Sequence, residues 1–273
     1  MSRVCSFFMM FIIVFCVSGC SNPNDNSEPK ESSKTDFVVE DISDTEILYY
    51  MAFNADEASV AEQVKNAYLF RYVNGEIKDC IDRYINPEVL LQPVESDYNI
   101  NDSKWDNINE NGELRVGIIE NSKFAFVEQS EDSHKHTAGC FDSIARLICM
   151  KLKLKSNISM YNSRDEAVSA LKNNQIDTII GIDDNTNQEL IYSFPIIYDR
   201  AVICKVSGRD EETTQYITAE QYRNIIDAPE RKIDYYRDLQ ECFDLMQHDE
   251  NANYAVICMK SDLSFTDSQK ISE

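Results

Sequence analysis

The sequence is short of positive charge: 26 Lys and Arg stand against 48 Asp and Glu, giving a net charge of -22. Binding to a phosphate backbone needs clustered cations, so nucleic acid is excluded as a partner. A cationic ligand or a basic protein surface is electrostatically allowed. So is the plainer reading, in which surplus carboxylates keep an exported domain in solution. None of the nine cysteines forms a Cys-x-x-Cys pair, which removes the usual zinc-ribbon and thioredoxin signals. No Gly-x-x-x-x-Gly-Lys-[Ser/Thr] or Gly-x-Gly-x-x-Gly occurs, and the serines show no nucleophile elbow. Of the three histidines, His134 and His136 flank Lys135 in a polar loop and His248 is far away. Without Cys or carboxylate geometry beside them they predict no metal centre. No cofactor and no enzymatic activity are expected.

What is present is a globular composition, 43% hydrophobic and 10% aromatic over 273 residues, enough for one or two domains. Cys80, Cys140, Cys149, Cys204, Cys242 and Cys258 lie in the body of the chain. Cys149, Cys204 and Cys258 sit in apolar runs and read as small buried hydrophobes. Outside a cell some of the six could pair as disulfides. The N-terminus carries Arg3, then an apolar stretch from Val4 to Val17, then Val17-Ser18-Gly19-Cys20. This is an export signal that resembles the lipobox of bacterial lipoproteins. The resemblance implies removal of residues 1–19, diacylation of Cys20, and a stable two-chain anchor on a membrane, facing the extracellular space or a periplasm. Residues 20–44, polar and rich in Ser, Asn and Pro at their start, read as the lipidated cysteine and a flexible tether.

Residues 45–111 read as a helical extension and connection. Ala55 to Ala67 is rich in helix formers, Asn74-Gly75 is a turn signal, and Glu76 to Tyr84 predicts a second helix. From Gly112 to Val206 the pattern alternates. Glu113 to Ile119 and Ile176 to Gly181 are buried-type strands, and Ser156 to Tyr161 is a third. Helices are expected after Gly139 and after Ser163, where Glu166 completes a capping box. Alternation of this kind predicts an α/β sheet, in which ligands bind at the carboxyl ends of strands. Arg237 to Met246 followed by Asn253 to Cys258 repeats the helix-then-strand theme in the last part, residues 207–273.

Five phrases in this order resemble the extracellular solute-binding proteins of amino-acid ABC transporters (solute-binding family 3). They are Gly112-Glu-Leu-Arg-Val-Gly-Ile118, Lys123-Phe-Ala-Phe126, Gly139 to Lys155, Ser163 to Gly181, and Tyr192-Ser-Phe-Pro-Ile-Ile197. The resemblance implies a periplasmic-binding-protein-like (type II) lobe over residues 112–206 and a reduced second α/β lobe over residues 207–273. The two close on a small polar or cationic solute by hinge motion. It implies as partners either an ABC permease or a membrane sensor protein. Candidate ligand contacts follow from the family's positions. Asn121 stands where an aromatic stacks on the ligand, and Asp184 where a hydroxyl contact falls. Glu189 or Thr186 stands where an Arg clamps an α-carboxylate, and the ammonium-binding acid of the second lobe aligns near Cys258. Without that Arg a standard α-amino acid is disfavoured. Asp183, Asp184 and Glu189 could hold an amine or lie on a solvated loop. Phe124, Phe126 and Gly181 complete the candidate lining, though alternating aromatics are equally consistent with core. The alternative function is a non-transport sensory or interaction lipoprotein built on the same fold.

Overall fold

A computed structural model describes residues 37–85, 93, 100–121, 123–129, 135–209, 211–223, 225–226, 231–249 and 252–263. The expected signal segment, Cys20, the tether up to residue 36, and His134 lie outside the described residues. In chain order the strands are β1 (Phe37–Asn54), β2 (Glu113–Ile119), β3 (Phe126–Gln129), β4 (Lys135–Ala138), β5 (Lys155–Tyr161), β6 (Thr178–Ile182), β7 (Leu190–Tyr192), β8 (Ile197–Val206), β9 (Gln215–Ala219), β10 (Ile233–Tyr236) and β11 (Tyr254–Met259). The helices are α1 (Ala58–Val73), α2 (Glu76–Ile81), α3 (Lys104–Asn111), α4 (Cys140–Leu152), α5 (Arg164–Lys172) and α6 (Leu239–His248).

The fold is α/β, with nine strands in one sheet of order β10-β9-β11-β8-β1-β6-β2-β5 and β7 paired to the end of β1. Two parallel sets lie at its ends, β5-β2-β6 and β11-β9-β10. Between them run β1 and β8, paired antiparallel from Phe37 opposite Val206 to Tyr49 opposite Ile197. Each long strand therefore belongs to both halves of the molecule. The pairing is broken once, where the register jumps from Asp41 opposite Val202 to Glu46 opposite Arg200. A bulge of this kind bends a strand and locally disrupts the ladder.

β1 corrects the expected layout. The tether expected to reach residue 44 gives way to strand at Phe37, and Thr45 to Asn54, expected as helix, completes that strand. The cause is cross-strand pairing. Glu40 pairs with Lys205, Asp41 with Arg200 at 3.0 Å, and Tyr198 donates to Glu46 at 2.7 Å. Charges that look tether-like in one dimension thus face complementary groups on β8. Beyond them Ile47 to Phe53 alternates. Tyr49, Met51 and Phe53 face α1, α2 and α4, while Tyr50 and Ala52 lie on the α5 side.

α1 and α2 are part of the first half's core, not an appendage to it. Val60, Ala61, Val64, Tyr68, Ile77 and Ile81 are fully buried in one cluster with Leu114, Val116, Ile118, Ile144 and Ile148. Gly75 turns the chain between the two helices with φ 80°, as the Asn-Gly signal predicts. α4 starts at Gly139, whose φ is 107° and where an added Cβ would lie 2.4 Å from the Phe124 carbonyl oxygen. Only glycine fits there. Ser163 caps α5 by accepting from the Glu166 amide, while the Glu166 carboxylate accepts from Asn162. The second half is small: β8, β11, β9 and β10 with α6 packed on one face through Cys242, Met246, Val256 and Cys258. All six cysteines of the described body are free and buried, so burial and not bridging explains them.

Candidate ligand cleft

The two halves face each other where the carboxyl ends of their parallel strands meet, which is where α/β sheets place ligands. From the first half, β2 ends in a tight loop. Asn121 and Ala125 exchange backbone hydrogen bonds of 2.7 and 2.8 Å, and the Asn121 side chain accepts from the Lys123 amide at 3.0 Å. That loop projects Lys123 across to the second half. Its ammonium lies 2.5 Å from Asp262 Oδ1, donates to the Tyr222 hydroxyl at 2.7 Å and reaches Ser261 Oγ at 3.3 Å. Tyr222 in turn donates to Asp262 Oδ2 at 2.7 Å, as does the Met259 amide at 2.8 Å. The Ser261 amide and hydroxyl donate to Asp199, and the Arg200 amide joins them.

This network is screened from water. Asp199 is 1% exposed, and the Asp262 and Lys123 side chains are 7% and 18% exposed. Beneath it lies an aromatic floor, with Tyr49, Phe124 and Phe141 at ring separations of 4.9 to 5.5 Å. Burial above all, with help from Asp199, Asp183 and Asp262, pushes the Tyr49 phenol far above its ordinary value. Burial also raises the Asp199 carboxyl, outweighing the Ser261 hydrogen bonds and the nearby Lys123 charge. The folded chain therefore holds that proton more tightly than the unfolded chain. Asp199 contributes fully below the unfolded carboxyl range, and its contribution is lost as pH rises through the raised folded value. Replacing Asp199 with Asn is expected to flatten this decline, read by urea titration at pH values between about 4 and 7. An unchanged pH slope in the variant refutes the assignment.

The residues proposed from the sequence separate into four places. Asn121 stands at the cleft as the clip that shapes the Lys123 loop, while Asp183 is 51% exposed and lies 3.8 Å from Arg164 of α5. Phe124 and Gly181 lie beneath it: Phe124 is 1% exposed, and a Cβ on Gly181 would meet the Phe141 ring at 2.3 Å. Phe126, half-buried on β3, packs edge-on to Tyr84 at 6.5 Å. Asp184, Thr186 and Glu189 are held on the flank along α5. Asp184 accepts from Thr186 at 2.7 and 2.8 Å and pairs with Arg164 at 3.0 Å, and Glu189 pairs with Lys172. Hydrogen bonds from Thr186 lower the Asp184 carboxyl, and Lys172 lowers Glu189.

Cys258, near which the alignment placed an acid, is buried on the α6 side of the sheet. The acid that reaches the cleft is Asp262, in the turn just beyond β11. Sequence reasoning missed Lys123, Asp199, Tyr222, Ser261 and Asp262. Only Asp262 left a signal, as the carboxylate next after a buried-type strand. Among the described residues no His, Cys, Asp and Glu group is arranged to hold a metal ion, and His136 pairs with Glu128 at 3.2 Å. No described helix is long and apolar enough to cross a membrane.

No protein-family model matches the chain, and no curated protein matches it by sequence. Solved structures do match. A polar amino acid ABC uptake transporter substrate binding protein from Streptococcus thermophilus aligns at 11% identity over 64% of this chain and 72% of its own, with a TM-score of 0.46. An ancestral cationic amino acid solute binding protein aligns at 18% identity over 57% and 73%, with a TM-score of 0.44. The L-cystine solute receptor of Neisseria gonorrhoeae, in its unliganded open conformation, aligns at 17% identity over 62% and 74%, with a TM-score of 0.43.

Proposed function

We propose that the chain is an exported, lipid-anchored solute-binding protein whose cleft takes a small polar or cationic solute. The observation that carries this reading is the pocket of Asp199, Tyr222, Ser261 and Asp262. It is built by the second half and holds an ammonium group offered by the first. A site that satisfies one ammonium with a carboxylate, a phenol and a hydroxyl suits another of the same kind. The solute is an amine in place of a standard α-amino acid, because among the described residues no guanidinium is bonded to Tyr222, Ser261 or Asp262 that could clamp a carboxylate. The β1–β8 pair that joins the halves, with its register break, is the hinge about which a clamp would open. An ABC permease or a membrane sensor receives the closed form, and the lipid at Cys20 keeps the protein on the outer side of the membrane. Catalysis is not part of this reading, since both buried carboxylates are committed to fixed donors. Thermal unfolding of the wild-type protein against polyamines, cationic amino acids, neutral amino acids and dipeptides tests it. At a hundredfold excess over Kd the right amine stabilises by about 2.7 kcal/mol, raising Tm by about 5–10 °C. Absence of any shift across the panel overturns it. That outcome favours the second reading, a sensory or interaction lipoprotein on the same fold, to which the occupation of the pocket by the chain's own lysine already points.

A further inference from the structure

We infer that Lys123 is a built-in latch, an ammonium tethered to one half that seats in the pocket of the other and holds the two closed without any solute. The geometry is specific to that task. The Asn121–Ala125 clip makes a loop whose central lysine extends out of the first half, and the clip is tied at both ends by backbone hydrogen bonds. Among the described residues, the lysine's ammonium bonds to groups of the second half: Tyr222 after β9, and Ser261 and Asp262 after β11. Those partners are themselves fixed. Asp262 takes the Met259 amide and the Tyr222 hydroxyl, and Ser261 is tied to Asp199 on β8. The pocket is therefore organised around a cation, and the side chain filling it is largely buried.

The halves are also joined through β1 and β8, whose pairing is broken where one half passes to the other. A latch across such a joint sets the balance between closed and open forms, and an incoming solute has to displace it. The latch rests on these contacts alone and stands whatever solute the cleft takes.

Three proteins test it: wild type, Lys123→Ala, which empties the pocket, and Lys123→Met, which fills it without charge. Backbone amide exchange at 259–262 and the radius of gyration from small-angle scattering are measured with and without n-butylammonium. In Lys123→Ala those amides are expected to exchange at least about tenfold faster and the radius to rise. n-Butylammonium is expected to reverse both changes and to raise Tm in Lys123→Ala only. Wild type, already latched, and Lys123→Met, already filled, do not respond. Should Lys123→Ala fail to fold, Lys123→Met carries the exchange and scattering measurements, and faster exchange with a larger radius is still expected there. Exchange and radius equal to wild type in the variants overturn the latch, and so does an amine response of the same size in all three proteins. A latch that behaves as described while no solute shifts the wild type removes the solute-binding reading and leaves the latch standing.

Discussion

Residues 112–273 expressed alone are expected not to fold, although they contain every phrase that resembles the solute-binding family. β1 is the reason. It lies between β8 and β6, so its removal splits the sheet into two pieces and bares an edge on each. The same cut removes Met51, Phe53, Val60, Val64, Tyr68, Ile77 and Ile81, all fully buried. At about 1.5–3 kcal/mol for each large apolar side chain, their loss comes to on the order of 10–20 kcal/mol. A whole domain is stable by about 5–15 kcal/mol, so the remainder has nothing to spare. The fragment should show no cooperative urea transition and little near-ultraviolet circular dichroism. Adding residues 35–85 as a separate chain should restore both. A cooperative transition in the fragment alone would show that the N-terminal segment is an appendage after all.

That segment is also where reading along the chain departed from the fold. Residues 45–111 read as an extension and connection, whereas β1, α1 and α2 precede β2 and fill the first half's core. Their periodicity was legible: Val60, Val64 and Ala67 share a face at helical spacing, and the Asn74-Gly75 turn fell where expected. What they pack against was not legible, because Leu114 and Ile144 meet them only in three dimensions. The alternation of β2, α4, β5, α5 and β6 could be read directly, since each element carries its own period and α5 its Ser163 cap. The cleft could not. Lys123, Asp199, Tyr222 and Asp262 come from four separate loops and strand ends, and only Asp262, the first carboxylate after a buried-type strand, carries a local pattern that marks it. The acidic loop at 183–189 drew attention because its charges are adjacent in sequence. Yet Arg164 and Lys172, at the two ends of α5, hold Asp184 and Glu189 on the outer flank.

The phrases that carry the resemblance have a structural task, and breaking it is the point substitution with the largest expected effect. Arg115 of the first phrase and Asp177 of the fourth are bound to each other. Asp177 accepts from the Arg115 amide at 2.9 Å, from its Nε at 3.1 Å and from its Nη2 at 2.5 Å. The Arg115 Nη1 donates to the Asn174 carbonyl at 2.6 Å, and the Asp177 amide donates to the Arg115 carbonyl at 2.8 Å. These bonds fasten the start of β6 to β2, and the carboxyl ends of those two strands carry Asp183 and the Lys123 loop. The Asp177 side chain is 1% exposed while Arg115 is 35% exposed, so the two partners are not equivalent. Asp177→Ala leaves a guanidinium that reaches water, but also a backbone amide with no acceptor. The loss is expected near the lower end for a broken buried pair, about 3 kcal/mol, with a fall in Tm of about 6–12 °C. Asp177→Asn keeps one oxygen for the Arg115 amide and should lose less. Arg115→Met strands the buried carboxylate and should lose at least as much as Asp177→Ala. If Asp177→Ala stays within about 0.5 kcal/mol of wild type, the pair is not what joins the strands. The shared phrases would then need an explanation in the cleft, where neither residue is found.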